Sequence, residues 1–198
     1  LEDGQDEFVR KEDMDAQIPK LADFLWEFLE GPAGGYVDMI ISHYWDGAKL
    51  GAVIQERLRH KVQHIWVPHS LGTVKKRNMS PDTWEDLRVD ERIDIAKELV
   101  GGLDGVASTS PLIREALVDD YGVQQPLFLP PCIDPSRFHP RQIHPEHEIY
   151  EFLGRHCGLS AHQVRSCQVI TEISRTDRTK RKDILIRAFA KIHEKHPD

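Results

Sequence analysis

VQHIWVPHSLGTVKKR, residues 62–77, is the stretch on which the reading of this chain turns. Val62, Ile65, Trp66 and Val67 form an apolar run too short for a helix and rich in β-branched and aromatic residues, which predicts a strand over 62–67. Pro68 has no N–H to offer a ladder, so pairing stops there. Beyond it lies a polar loop, expected over 69–81, that carries His69, Lys75, Lys76 and Arg77.

The same alternation continues in both directions. Upstream, Met14, Ile18, Leu21, Ala22, Leu25, Phe28 and Leu29 recur at helical spacing, predicting an amphipathic helix over about 13–30 closed by Gly31-Pro32. A second apolar run, 37–42, reads as a buried parallel strand, and Leu50, Val53, Ile54 and Leu58 mark the helix after it. Downstream, one long helix is expected over about 83–101, then a strand over 105–109. Ser110-Pro111 is an N-cap and first-turn pair for a helix reaching about Tyr121, and 126–129 is one more short strand. Strand and helix in alternation specify an α/β class, a Rossmann-like doubly wound parallel sheet with right-handed crossovers. Ligands of such sheets sit beyond the carboxyl ends of the strands, so the loops after Ser42, Val67, Ser108 and Leu129 are the places to look.

From 130 to about 165 the texture changes. Prolines fall at 130, 131, 135, 140 and 145, histidines are frequent, and a helix is expected over about 145–157. Then 167–173 (CQVITEI) reads as a fresh strand, 174–183 as a charged loop, and Ile184, Leu185, Ala188, Phe189 and Ile192 as a helix to the end. The expected organisation is a first lobe over 1–134, a linker containing a helix over 135–166, and the opening βα unit of a second lobe over 167–198.

Composition narrows the function. Lys and Arg number 26 against 33 Asp and Glu, a net charge of −7, which argues against a nucleic-acid partner. No apolar run approaches the ~18 residues of a membrane span, and no signal-peptide pattern opens the chain. Cys132, Cys157 and Cys167 form no CxxC pair, so neither a zinc site nor a disulfide framework is expected. Their plainest reading is reduced, buried thiols in a cytoplasmic protein. Both ends of the sequence read as cut.

Three strand-end constellations carry chemistry. In residues 174–182 (SRTDRTKRK), five of nine residues are cations, ahead of a helix whose N-terminus aims N–H groups the same way. That pattern suits a diphosphate, with Arg gripping oxygens in pairs and Lys adding a compact charge. A solvated charged loop is the ordinary alternative. In residues 69–75 (HSLGTVK), His69 can hydrogen-bond sugar hydroxyls and Lys75 can hold an acceptor phosphate; a capping histidine with surface lysines explains the same residues. In residues 43–47 (HYWDG), His43, Tyr44, Trp45 and Asp46 combine flat faces with hydroxyl acceptors, as carbohydrate sites do; Asp46 as an ordinary N-cap competes with that reading. The turn at 130–135 (PPCIDP) reads as a hinge.

In this order the segments resemble the family 4 glycosyltransferases, retaining enzymes of the two-lobed GT-B type. HYWDGAKLG is similar to the HYADAG-type segment of sucrose-phosphate synthases. HSLGTVK matches their HSLGxxK segment and parallels HALxKTK of the sucrose synthases. VASTSPLIREALVDDYG is similar to a family strand and helix, FLPPCIDPSRFHP to the PPGxDxxxFxP interlobe signature, and SRTDRTKRKDILIRAFAKI to the SRxDxxKN segment of the nucleotide-binding lobe. FVRKEDM is similar to an upstream "xKE" segment.

The resemblance implies a hexosyltransferase of the EC 2.4.1 type. It would move a sugar, glucose first among candidates, from a nucleotide sugar, UDP-glucose foremost, to a sugar or sugar-phosphate acceptor. No metal or other cofactor is expected. By the same resemblance Arg175 and Lys180 bind the donor diphosphate, and His69 contacts the transferred sugar and steadies the charge developing at its anomeric carbon. Lys75 and Arg92 serve the acceptor site, with His43, Tyr44 and Asp46 beside them. Ala96 replaces an acidic residue of the family, and Cys132 stands at a usual Gly, where a positive φ would be strained. The family's Gly-rich loop and E-x7-E carboxylates are expected outside this stretch, which by itself should not turn over. Rival readings are a glycogen-synthase-like or lipid-linked-sugar transferase, an epimerase of the same shape, and a non-catalytic sugar- or nucleotide-binding module. Oligomeric state is not legible.

Overall fold

The 62–67 run is paired on both sides. In the computed structural model, which describes residues 9–176 and 180–196, Gln63–Val67 (β2) lies between Met39–His43 (β1) and Gly105–Ser108 (β3), and Leu127–Phe128 (β4) completes the sheet. All three pairings are parallel in the order β1-β2-β3-β4, with His43 opposite Val67 and Ile65 opposite Gly105. The chain divides into two compact units, Leu1–Asp134 and Pro135–Asp198.

In the first unit, helix α1 (Ile18–Glu30) precedes β1 and α2 (Tyr44–Arg57) joins β1 to β2. Three helices, α3 (Gly72–Arg77), α4 (Pro81–Asp86) and α5 (Val89–Val100), lead to β3, and α6 (Pro111–Asp119) leads to β4. Trp66 at 1% exposure, Leu71, Ala96, Val106, Ile113 and Leu117 form the centre of the core. Ser110 accepts from the Ile113 N–H and Pro111 follows it, the cap and first turn that the sequence announces.

Several expectations are corrected. The loop foreseen over 69–81 contains α3, because Leu71 turns into the core and starts a helix whose last turn holds Lys75, Lys76 and Arg77. The long helix over 83–101 is broken: Arg88 takes left-handed geometry (φ 44°, ψ 49°), held by ion pairs to Asp13 at 2.6 Å and Glu91 at 3.8 Å. β1 is covered on one face only. Ser42 is buried while the alternate residues Met39 and Ile41 are exposed, since cover on both faces needs helices on both faces. The cysteines are exposed, not buried, because they lie in the sparsely packed part of the chain.

In the second unit, α7 (Glu148–Cys157) ends at Gly158 (φ 68°), which allows the Leu159 N–H to reach back to the Gly154 carbonyl at 2.9 Å. A capping box, Ser160 with Gln163, starts α8 (Ala161–Ser166), and α9 spans Lys182–Lys195. The strand expected over 167–173 is not formed. A parallel strand takes its hydrogen bonds from neighbours, and the described residues of this unit include no strand to supply them. Cys132 is not among the residues with positive φ, so its replacement of Gly costs no backbone strain. Asp177, Arg178 and Thr179 of the charged loop lie outside the described residues, as does Phe8 of FVRKEDM.

Candidate functional site

β1 and β2 end side by side, so the residues that follow them share one place. The His43 and His69 rings meet edge to edge, with centroids 5.0 Å apart and 21° between planes. His43 Nδ1 lies 2.7 Å from His69 Nε2. Tyr44 tilts against His69 at 5.0 Å, and the Lys11 ammonium sits 3.7 Å from the centre of the Tyr44 ring. Lys11 also pairs with Asp46 at 3.4 Å.

This cluster is held in strained backbone. Tyr44 (φ 60°) and His69 (φ 55°) both occupy the left-handed region, which side chains with a Cβ avoid. The Tyr44 carbonyl accepts from the buried Trp66 indole N–H at 2.9 Å. His69 is the centre of a three-residue turn in which the Ser70 N–H donates to the Pro68 carbonyl at 2.6 Å. Strain of this kind persists only where surrounding contacts enforce it, and it concentrates at functional sites.

A cleft beside the cluster is lined by Lys11, Tyr44, Ser70, Gly72, Lys75 and Arg92. The structure therefore brings together six expected site residues of the first unit: His43, Tyr44, Asp46, His69, Lys75 and Arg92. Gly72 is the close-approach point, since a Cβ there would come within 2.5 Å of the Ile93 side chain. Lys76 and Arg77 point elsewhere, to Asp90 and Asp120, both at 2.6 Å. Ala96, at the position of an acidic family residue, lines the cleft wall and joins the core.

Arg92 is buried and paired with the nearly buried Glu12. That pair also lines a cavity of about 300 Å³, together with Asp15, Trp45, Arg88 and Ile95. Lys11 and Glu12 are site residues that no strand-end rule locates; their only sequence signal is the FVRKEDM run.

Electrostatics mark His69. Burial first, then His43 and Lys11, push its pKa below 6.5, so the ring is neutral at pH 7. A neutral imidazole offers one donor and one acceptor to hydroxyl groups. Lys11, Lys75 and Arg92 line the adjoining cleft, with Lys11 paired to Asp46 and Arg92 to Glu12.

In the second unit, Arg175 and Lys180 lie in the segment leading to α9. Lys182 at the start of that helix donates to the Ser174 carbonyl at 2.9 Å and pairs with Glu172 at 3.3 Å. Bonding to Ser174, ahead of Lys182, lowers the Glu172 pKa. Arg181 (φ 47°) is the N-cap residue of α9, and its pairing with Asp183 lowers that carboxyl's pKa. Among the described residues there is no group of three or more His, Cys, Asp and Glu that could hold a metal ion, and no helix long and apolar enough to cross a membrane.

The chain is 28% identical over 204 residues to a mannosylfructose-phosphate synthase of Agrobacterium fabrum, covering 98% of this chain and 42% of that protein. It is 28% identical over 140 residues to a D-inositol 3-phosphate glycosyltransferase of Streptomyces bingchenggensis, covering 69% of this chain and 30% of that one. A solved sucrose-phosphate synthase from Thermosynechococcus elongatus superposes with a TM-score of 0.56 at 24% identity, over 71% of this chain and 34% of that chain. The fold is the Rossmann-like fold of a GT-B glycosyltransferase, and the chain resembles sucrose-phosphate synthase. It spans less than half the length of these relatives. No family model matches it.

Proposed function

We propose that the chain is part of a cytoplasmic retaining glycosyltransferase that moves a hexosyl group, glucose first among candidates, from a nucleotide sugar to a sugar-phosphate acceptor. The observation that carries this reading is the convergence of His69, the His43 and Tyr44 rings against it and the side chains of Lys11, Lys75 and Arg92 at the ends of β1 and β2. Two relatives are named for a sugar or cyclitol phosphate, which supports a phosphorylated acceptor.

In this reading the first unit forms the acceptor lobe and Lys75 with Arg92 holds the acceptor phosphate. His69 hydrogen-bonds the transferred sugar while positive charge grows at its anomeric carbon. The second unit begins the donor lobe, where Arg175 and Lys180 neutralise the departing nucleotide diphosphate. The nucleotide sugar, UDP-glucose foremost, is a co-substrate, and no metal or other cofactor is invoked.

The test uses the full-length protein with UDP-glucose, ADP-glucose or GDP-mannose against fructose 6-phosphate, fructose and glucose. Transfer to the phosphorylated acceptor, with Lys75→Ala raising its KM by tenfold or more and Lys180→Ala lowering kcat about 10²-fold, is the expected result. Equal use of fructose and fructose 6-phosphate would overturn the assignment of Lys75. No turnover and no nucleotide binding with any pair would overturn the enzyme.

A further inference from the structure

Two imidazoles whose nitrogens lie 2.7 Å apart share one proton. One ring gives an N–H and the other a lone pair, so the tautomer of each ring dictates that of its neighbour. The outward nitrogens, His43 Nε2 and His69 Nδ1, are then complementary, one protonated and one bare. We propose that His43 is a positioning residue: its Nδ1 engages His69 Nε2, so that His69 presents Nδ1 to the sugar in a single tautomer and a fixed ring plane.

Four further observations bear on this assignment. The rings meet edge to edge and nearly coplanar, so the shared proton lies in both ring planes and ties their χ2 angles together, and Tyr44 closes on His69 as well. Both residues of the turn geometry, Tyr44 and His69, are held at positive φ, so the backbone is committed to this arrangement. The groups facing the pair are Tyr44 from α2 and Lys11 from the N-terminal segment, the latter neutralised in part by Asp46. Burial first, then His43 and Lys11, oppose a second proton on His69.

This assigns His43 a task other than direct contact with the acceptor, since its Nδ1 is already engaged. The consequence for catalysis rests on the reading of His69 given above; the geometry of the pair does not.

The test is performed on the full-length protein labelled with 15N in histidine, by long-range proton–nitrogen spectra of the rings between pH 5 and 9. His69→Gln assigns the signals. In the unsubstituted protein, the two His69 nitrogens are expected at separate shifts of a single tautomer, with a titration midpoint below 6.5. In His43→Leu they should move toward the average of exchanging tautomers, and the midpoint should rise. His43→Asn places an amide nitrogen the same number of bonds from Cα as Nδ1 and should restore the single tautomer. The Trp66 indole N–H, bonded to the neighbouring Tyr44 carbonyl, reports whether the strand end remains intact in each variant. Transfer kcat should fall about 10²-fold in His43→Leu with little change in KM, and recover to within several-fold in His43→Asn. An unchanged His69 spectrum in His43→Leu would overturn the proposal. Tautomer loss without any change in kcat would leave the pair standing and overturn the sugar contact of His69.

Discussion

Residues 62–67 and 167–173 carry similar apolar runs, each followed by a cationic loop and a helix, and they end in different states. The first is a strand paired on both sides, with Trp66 and Val67 at 1% exposure. The second makes no ladder, and Ile173 is 94% exposed. An apolar run is thus a capacity for strand formation that neighbouring backbone must realise. Where the ladder exists, the strand end aims His69 at a defined place; where it does not, Arg175 and Lys180 have no such frame among the described residues.

The largest effects should come from breaking the paired region. Trp66→Ala is expected to destabilise the first unit by about 3–5 kcal/mol in urea unfolding, whereas Ile173→Ala should stay within about 0.5 kcal/mol. Equal costs would mean that 167–173 is packed in solution. Next comes the Glu12–Arg92 pair. Removing one charge from a pair this enclosed, as in Glu12→Leu, should cost about 3 kcal/mol, and adding Arg92→Met should recover much of it. An additive double variant would show that the pair does not act as a unit.

A smaller effect should appear on acidification. His64 is fully buried with Nε2 bonded to Ser42 at 2.8 Å, and burial, opposed by Asp104, lowers its pKa. The unfolded state therefore binds this proton at higher pH than the folded state does. Stability should be complete above about 6.5 and decline as pH falls toward the lower folded value. His64→Asn, compared by thermal melts from pH 8 to pH 5, should flatten that slope. The second unit, where no such buried histidine is seen among the described residues, should show little of it in hydrogen exchange.

The smallest effects are at the helix caps. Ser110→Ala and Ser160→Ala should each cost about 1 kcal/mol. The first should lower the cooperative transition of the paired region, while the second should appear only as faster amide exchange in α8. A cooperative loss from Ser160→Ala would erase the contrast between the regions.

Much of this was legible before any coordinates. Pro68 after an apolar run, Ser110-Pro111 at a helix start and the alternation of elements point to four parallel strands and to the loops that carry His43, Tyr44, Asp46, His69 and Lys75. The break at Arg88 was not legible, because the shorter of its two ion pairs comes from Asp13, seventy-five residues away. Helix α3 was hidden for a similar reason: Lys75-Lys76-Arg77 reads as loop until Leu71 is buried.

Local patterning alone determined the four paired strands, the helices α1, α2 and α6 and which polar residues stand at strand ends, since periodicity, caps and prolines act within a few residues. Only the tertiary structure decided that His43 meets His69 across two strands, that Glu12 occupies Arg92, and that 167–173 remains unpaired. Those outcomes depend on backbone and side chains far away in sequence, and no local pattern records whether such partners arrive.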